Sequence, residues 1–300
     1  MSVPQSKFAK SILATLVYSD HFGFPLTLKE IHLRLVHVPV GTTLPAQAGV
    51  AFATTLAKMV SNHQIEQSGD YFYLPGRKSL IALRLKRATL STPQLVNARL
   101  LAGRLSRRRG ILAIYLTGSL AVMNSDKDAD IDFMIITHPH RLWTTRLLLT
   151  LYTEILGLRR RPYDQHSSGK ICLNLYLTPD SYLLPRSKQS LYTAYELIQA
   201  VPLYDPCDTH SPLLAANPWI KKYLPNAIQR FDPSRRTLLK RNSRLQAEKG
   251  PVATGRRVLM GTIEKICYHL QLLYMRPKLT HEYVTIDSAF FHPNNPAPKI

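Results

Sequence analysis

Cysteine is scarce in this sequence. The 300 residues hold three cysteines, Cys172, Cys207 and Cys267, which lie far apart along the chain. An odd number of scattered cysteines argues against a disulfide framework and against a zinc site, since both are built from closely spaced groups of ligands. Reduced thiols are typical of a reducing compartment, so we expect a cytoplasmic protein.

Long apolar runs are also absent. The longest, residues 147–158, contains Glu154 and is shorter than the roughly 20 apolar residues that a bilayer-spanning helix needs. Lys7 and Lys10 precede a short apolar run near the N-terminus, but no small-residue cleavage site follows, so we reject a signal peptide. The sequence predicts no membrane span.

Acidic residues are few. Nineteen Asp and Glu stand against 39 Lys and Arg, which gives a formal net charge of +20. Such a charge attracts nucleotides, nucleic acid or another anionic surface, although it also serves solubility alone. Two regions are rich in cations: residues 77–110, which include no Asp or Glu, and residues 230–257. Both are candidate surfaces for nucleic acid, and the acid-free region is a candidate phosphate track.

The most informative stretch present is residues 113–137, AIYLTGSLAVMNSDKDADIDFMIIT. Its first apolar run ends at Gly118-Ser119, which predicts a buried strand followed by a tight turn. A second strand is predicted from Asp130 onward, and Asp130 and Asp132 share one face because side chains alternate along a strand. Two adjacent carboxylates repel each other and need a cation beside them, so this pair is a candidate metal site.

The Gly118-Ser119 turn is a candidate anion site. A glycine lets the backbone come close to a ligand. Ser119 is predicted to cap the helix that follows, whose first N–H groups attract an anion. An anion-binding turn opposite a carboxylate pair fits a nucleoside triphosphate with Mg²⁺.

These residues together resemble the nucleotidyltransferase superfamily that includes DNA polymerase beta and the aminoglycoside nucleotidyltransferases. The resemblance rests on Gly118-Ser119, on ten intervening residues, and on the Asp-Ile-Asp-Phe segment at 130–133 between apolar neighbours. It directly covers roughly residues 95–180.

The resemblance implies an activity and a set of site residues. It implies that Gly118 and Ser119 bind an NTP, while Asp130 and Asp132 are catalytic and bind Mg²⁺ or Mn²⁺. The reaction would move a nucleoside monophosphate from the NTP to an acceptor that the sequence does not identify.

Members of this superfamily carry a third carboxylate on the next strand, which residues 170–177, KICLNLYL, predict here. Strict alternation predicts that one face carries Ile171, Leu173, Leu175 and Leu177. The opposite face then carries Cys172, Asn174 and Tyr176. The acidic position of the family therefore falls on Asn174, our third candidate catalytic residue, although an amide is a weak metal ligand and accepts no proton.

Other acids are open alternatives for the third position. None of them lies inside a predicted strand at the expected place; they are Asp126, Asp128, Asp164 and Asp180. Two functions therefore remain. The intact Asp130 and Asp132 pair favours a metal-dependent nucleotidyltransferase, whereas Asn174 favours a catalytically degenerate module that binds nucleotide or nucleic acid without turnover.

The whole chain is predicted to be α+β, with four parts in order. They are a winged-helix-like domain (1–76), a basic helical connector (77–110), a polymerase-beta-like nucleotidyltransferase core with a mixed sheet and flanking helices (111–180), and a C-terminal mainly helical region (181–300). Pro93 is expected to begin the second half of the connector, with Thr92 as its N-cap.

The N-terminal prediction rests on three helices followed by a β-hairpin. A capping box at Thr27 and Glu30 marks the start of the second helix. The third helix would enter a DNA groove in a winged helix. Gln47 and Asn62 are the only side chains noted on this helix that could read bases. A winged helix used for packing or dimerisation is therefore at least as well supported as one that binds DNA.

Overall fold

A computed structural model describes residues 5–37, 46–161, 164, 167–228, 251–280 and 282–291. Over these residues the protein is α+β, with a six-stranded mixed sheet, a three-stranded sheet and several helices. The predicted α+β class is therefore confirmed, while the division into four domains stays a prediction. Among the described residues, no helix is long and apolar enough to cross a membrane.

The described helices and strands follow one another along the chain. The helices are α1 (Gln5–His21), α2 (Leu28–Leu33), α3 (Ala46–Ser61), α4 (Ser79–Ser106), α5 (Gly118–Ala121), α6 (Leu142–Ile155), α7 (Leu191–Gln199), α8 (His210–Ala215), α9 (Ile220–Tyr223), α10 (Pro225–Ile228) and α11 (Pro251–Met275). The strands are β1 (Leu26–Thr27), β2 (Glu66–Ser68), β3 (Tyr71–Tyr73), β4 (Ile111–Leu116), β5 (Ile131–Thr137), β6 (Ile171–Leu177), β7 (Val201–Tyr204), β8 (Tyr283–Val284) and β9 (Ser288–Phe290).

The N-terminal region has the predicted order of three helices and a hairpin. Strands β1, β3 and β2 form its small antiparallel sheet. The capping box is present: the Thr27 hydroxyl accepts from the Glu30 N–H, and Glu30 Oε2 accepts from the Thr27 N–H at 2.9 Å. Helices α1 to α3 and the sheet share one apolar core, so the region is packed around its own interior.

The central sheet places three strand ends together. Its strand order is β7-β4-β5-β6-β9-β8, with β4 antiparallel to β5 and β5 parallel to β6. The C-terminal end of β4 therefore lies beside the N-terminal ends of β5 and β6. The acidic start of β5 and the Gly118-Ser119 turn after β4 meet at this edge.

The two faces of the central sheet are covered by different layers of helices. Ile131, Phe133 and Ile135 pack with α4 and α6 on one face, as alternation along β5 predicts. Met134 and Ile136 pack with α7 to α10 on the other face. Each such side chain is fully or almost fully buried, and burial of one contributes about 1.5–3 kcal/mol.

The predicted break at Pro93 is wrong. Helix α4 runs through Pro93 without interruption. The Thr92 hydroxyl does not act as an N-cap but donates back to the Ala88 carbonyl at 3.1 Å, one turn earlier. Among the leucines after Pro93, Leu101 and Leu105 are buried in the core, whereas Leu100 is 61% exposed.

The C-terminal region contains the predicted helices but also adds three strands to the central sheet. Strands β7, β8 and β9 are two to four residues long, too short for alternation to be visible in the sequence. Helices α8 and α9 are separated near Asn217, whose amide donates to the Tyr182 and Leu213 carbonyls. This buried amide ties the loop after β6 to α8.

A buried carboxylate joins α6 to α11. Glu264, on α11, is 2% exposed and accepts from the N–H groups of Trp143 and Thr144 and from the Thr144 hydroxyl at 2.9 Å. These N–H groups belong to the first turn of α6, where no intrahelical acceptor exists. Glu264 thus caps α6 from a different helix.

We expect Glu264→Gln to lower the free energy of unfolding by about 1–3 kcal/mol, because an amide leaves one buried N–H facing a donor. Urea unfolding followed by circular dichroism measures this change. Lys265→Ala, an exposed substitution on the same helix, is the control and should have little effect. Equal stability of the Gln variant and the wild type would contradict the capping role.

Candidate functional site

Gly118 and Asp132 are in direct contact at the edge of the central sheet. The Thr117 N–H donates to the Asp132 carbonyl at 2.9 Å, which joins the end of β4 to the start of β5. Gly118 has φ +67°, and a Cβ there would overlap Asp132 Oδ2 and lie 3.1 Å from Asp132 Cγ. Two constraints therefore favour glycine at position 118: the positive φ angle, and the Asp132 carboxylate that leaves no room for a Cβ.

Ser119 lies beside this contact but does not cap a helix. Helix α5 begins at Gly118, so the N-cap position is Thr117, which makes no side-chain cap hydrogen bond. The predicted capping role of Ser119 is thus wrong, because the helix starts earlier and its N-cap lies two residues before Ser119. Gly118 and Ser119 are both exposed, whereas Thr117 is buried.

Asp130, Asp132 and Cys172 form one cluster. One ligand atom from each lies within 4.8 Å of the other two. Asp132 and Cys172 are direct register partners on the parallel strands β5 and β6, so their side chains project from the same face. Alternation along residues 170–177 predicts Cys172 on this face. It was not predicted as a site residue, because the family resemblance implies a carboxylate there.

Asn174 lies at a bulge in β6 and belongs to the same cluster. Phe133 pairs with Leu173, but Met134 pairs with Leu175, which leaves Asn174 outside the register. Asn174 Nδ2 donates to Asp132 Oδ1, and Cys172 Sγ donates to Asn174 Oδ1 at 2.7 Å. The expected orientation of Asn174 toward the aspartates is therefore observed.

The strict alternation predicted for residues 170–177 is wrong beyond the bulge. Leu175 and Leu177 join the core on the α7 side, while Tyr176 joins the core that contains Ile171. The extra residue moves each later side chain of β6 to the opposite face of the sheet. Cys172 and Asn174 precede this reversal and lie on the side of Asp132, as alternation predicts.

Arg160 provides a positive charge that the sequence analysis missed. Its Nη1 lies 3.0 Å from Asp130 Oδ2 and 3.9 Å from Cys172 Sγ. Arg159 and Arg161 point the other way and pair with Glu154. The segment from Arg159 to Arg161 is extended, and Arg159 forms a β-bridge with Ile171 of β6. Side chains alternate along an extended segment, so Arg160 faces the opposite way from its two neighbours. This alternation is the sequence signal that could have identified Arg160.

The electrostatics of the cluster favour a neutral thiol. Burial raises the pKa of Cys172, and the negative charges of Asp132 and Asp130 raise it further. A protonated thiol is a poor ligand for a hard cation, whereas carboxylate oxygens are the ligands that Mg²⁺ and Mn²⁺ prefer. Asp130 Oδ2 is buried without an aligned hydrogen bond, which also fits a cation ligand. The two aspartates thus fit such an ion, and Cys172 does not.

The alternative acids do not complete a triad. Asp126 pairs with Arg87 at 2.9 Å and Asp164 pairs with Lys170 at 2.8 Å. Asp128 is exposed beside Lys127, and Asp180 lies in a turn beyond the far end of β6. Within the described part of the chain, the cluster therefore contains two carboxylates and no third.

A pocket of about 270 Å³ opens beside the cluster. Gly118, Ser119 and Asp132 form one end of it. Its other walls come from α1, the segment that follows it, the end of α2, and α7; the residues are Tyr18, Phe22, Phe24, Arg34, Tyr192 and Tyr195. The cluster and the pocket together are the candidate functional site.

The basic connector is only partly available as a phosphate track. Acids from other elements pair with three of its arginines: Arg77 with Asp20 at 2.9 Å, Arg84 with Glu30 at 2.8 Å, and Arg87 with Asp126 at 2.9 Å. The exposed cations of α4 include Lys86, Arg99 and Arg104. In the second basic region, residues 230–250 lie outside the described residues, and 251–257 begin α11.

Comparison of the chain with protein-family models, with curated proteins and with solved structures finds no match.

We expect Gly118→Ala to abolish divalent-cation binding, because the added Cβ displaces the Asp132 carboxylate. Titration calorimetry with Mn²⁺ measures the binding. Gly76→Ala is the matched control: Gly76 has φ +77° and open space around its Cβ position, so it shares the backbone strain without the overlap. Gly76→Ala should lose about 1–2 kcal/mol of stability, and Gly118→Ala should lose more, because the overlap with Asp132 adds to the same backbone strain. Unchanged Mn²⁺ binding by Gly118→Ala would show that Asp132 is not a ligand.

Proposed function

We propose that the protein is a metal-dependent nucleotidyltransferase, which moves a nucleoside monophosphate from an NTP to an acceptor. The contact between the Gly118 turn and Asp132 carries this proposal. It joins an exposed, glycine-dependent turn to a carboxylate pair across two strands, at the mouth of a pocket. Packing of a core does not require two aspartates on adjacent positions of one strand face.

Each residue has a role in this proposal. Asp130 and Asp132 would hold Mg²⁺ or Mn²⁺, and Gly118 and Ser119 would bind the triphosphate through backbone N–H groups and the Ser119 hydroxyl. A bound divalent cation supplies charge neutralisation for the phosphates. The protein contributes positioning, which together with electrostatic stabilisation provides most of the catalysis in phosphoryl transfer.

Asn174 limits the chemistry of the site. An amide cannot take a proton from the attacking acceptor, and the Cys172 thiol is held protonated by its surroundings. The reaction would therefore proceed without a positioned side-chain base, at a cost of about 10²–10⁴-fold in rate. We expect slow transfer, or an acceptor that is already a good nucleophile.

A second candidate function is a degenerate module that binds nucleotide or nucleic acid without turnover. The specific observation in its favour is that protein groups already balance both carboxylates. Asn174 donates to Asp132, and Arg160 lies against Asp130. A cation must compete with Arg160, and in this second function direct charge pairing takes the place of metal binding.

The acceptor is the least defined part of the proposal. The exposed cations of α4 support a polyanion, and nucleic acid is the acceptor or partner that they would suit. Such an interaction would weaken steeply with salt, because each phosphate contact releases a counterion.

We expect the wild-type protein to transfer label from at least one NTP, α-labelled and supplied with Mg²⁺ or Mn²⁺, to an acceptor among RNAs, proteins and small molecules. Asp132→Asn should abolish both the transfer and the metal-dependent rise in melting temperature with NTP. Asp128→Asn, an exposed acid outside the cluster, is the control. Metal-dependent NTP binding that survives in the Asp130→Asn, Asp132→Asn double variant refutes the site assignment.

We expect Asn174→Asp to distinguish the two candidate functions. A third carboxylate beside Asp132 should lower the melting temperature without metal, and metal should restore it. Transfer should rise by about 10²–10⁴-fold if a base was the missing element. Asn174→Ala, which removes the amide without adding charge, should not raise the rate. Metal and NTP binding without any transfer in the Asp variant would favour the module that lacks turnover.

A further inference from the structure

We propose that the 270 Å³ pocket binds the nucleoside of the NTP, so that the N-terminal region of the chain forms one wall of the nucleotide site. This inference rests on the proposed function, because it assumes that the triphosphate lies at the Gly118 turn. It adds a binding site for the base and sugar, and it gives the N-terminal region a role other than reading DNA.

The pocket is continuous with the place proposed for the phosphates. Gly118, Ser119 and Asp132 line both, so a ligand held by the turn has its remaining atoms in the pocket. The volume is near the lower end of the roughly 300–1,000 Å³ typical of small-molecule sites. It suits a nucleoside and is too small for a folded macromolecule.

Aromatic rings from two parts of the chain line the pocket. Tyr18, Phe22 and Phe24 come from α1 and the segment after it, and Tyr192 and Tyr195 come from α7. The Tyr18 and Tyr195 rings stack on each other, with centroids 4.2 Å apart and planes at 11°. Bases stack on aromatic side chains regardless of their identity, because every base has a π-face.

Polar groups are spaced among these rings. Arg34, Asn124 and Gln199 line the same pocket and can donate to the edge of a base or to the ribose. An apolar pocket with a few polar groups is the usual form of a small-molecule site.

Hydrogen bonds fix the N-terminal wall against the catalytic elements. Asn124 Nδ2 donates to the Phe22 carbonyl at 2.9 Å, and Arg87 Nη1 donates to the same carbonyl at 3.3 Å. The Tyr195 hydroxyl donates to the Arg34 carbonyl at 3.0 Å. The wall is therefore preorganised, which lowers the entropic cost of binding a ligand there.

The test compares NTP with inorganic triphosphate, both with Mg²⁺, by titration calorimetry. The wild type should bind an NTP at least about tenfold more tightly than triphosphate, through base stacking. Tyr192→Ala and Phe22→Ala should each weaken NTP binding about tenfold and leave triphosphate binding unchanged. Tyr192→Phe, which keeps the ring, should bind NTP like the wild type. Tyr274→Ala removes an exposed tyrosine on α11 and is the control.

Three outcomes separate this inference from the proposed function. Equal wild-type affinity for NTP and triphosphate overturns the inference and leaves the proposed function standing. The same holds if Tyr192→Ala and Phe22→Ala bind NTP normally while Asp132→Asn does not. Absence of binding of both ligands with Mg²⁺ and with Mn²⁺ overturns the proposed function and this inference together. Thermal melting without ligand shows which variants fold, and the wild-type comparison needs no variant.

Discussion

The candidate site depends on the absence of a side chain at position 118. Because Gly118 has no Cβ, the turn after β4 can touch the Asp132 carboxylate while its backbone takes a left-handed angle. The Thr117 to Asp132 backbone hydrogen bond then fixes this approach within the central sheet. The exposed turn and a carboxylate become neighbours only under this constraint, and the adjoining pocket opens from their contact.

The fold already offsets part of the repulsion between the Asp130 and Asp132 carboxylates. Two like charges about 4 Å apart repel by roughly 4 kcal/mol near a protein surface. Arg160 offsets this at Asp130, and Asn174 offsets it at Asp132 through a hydrogen bond. A divalent cation would therefore have to replace the Arg160 ion pair and the Asn174 hydrogen bond. Affinity for metal therefore depends on how readily Arg160, which is about half exposed, moves aside.

Local patterns in the sequence predicted some features well and others not at all. Alternation placed Asp130 and Asp132 on one face of β5, and that face is observed because β5 is regular. The same rule failed after Asn174, since a bulge is set by pairing with β5 and leaves no mark in the residues themselves. Alternation placed Cys172 on the correct face, but the family resemblance implies a carboxylate at this site and not a thiol. Arg160 was missed because long-range pairing decides which side chains meet. The functional assignments themselves stay predictions.

Net charge is a weaker guide to partners than the sequence suggested. The connector has no acid of its own, yet Arg84 forms two hydrogen bonds with Glu30 and stacks over Phe24 at 4.0 Å. Arg87 likewise pairs with Asp126 and holds the loop that follows α5. Arg84 and Arg87 thus join the N-terminal region to α4 and to the loop after α5 instead of facing solvent. Part of the positive charge therefore has a structural role, and among the described residues the cations left exposed on α4 stay available to a polyanion.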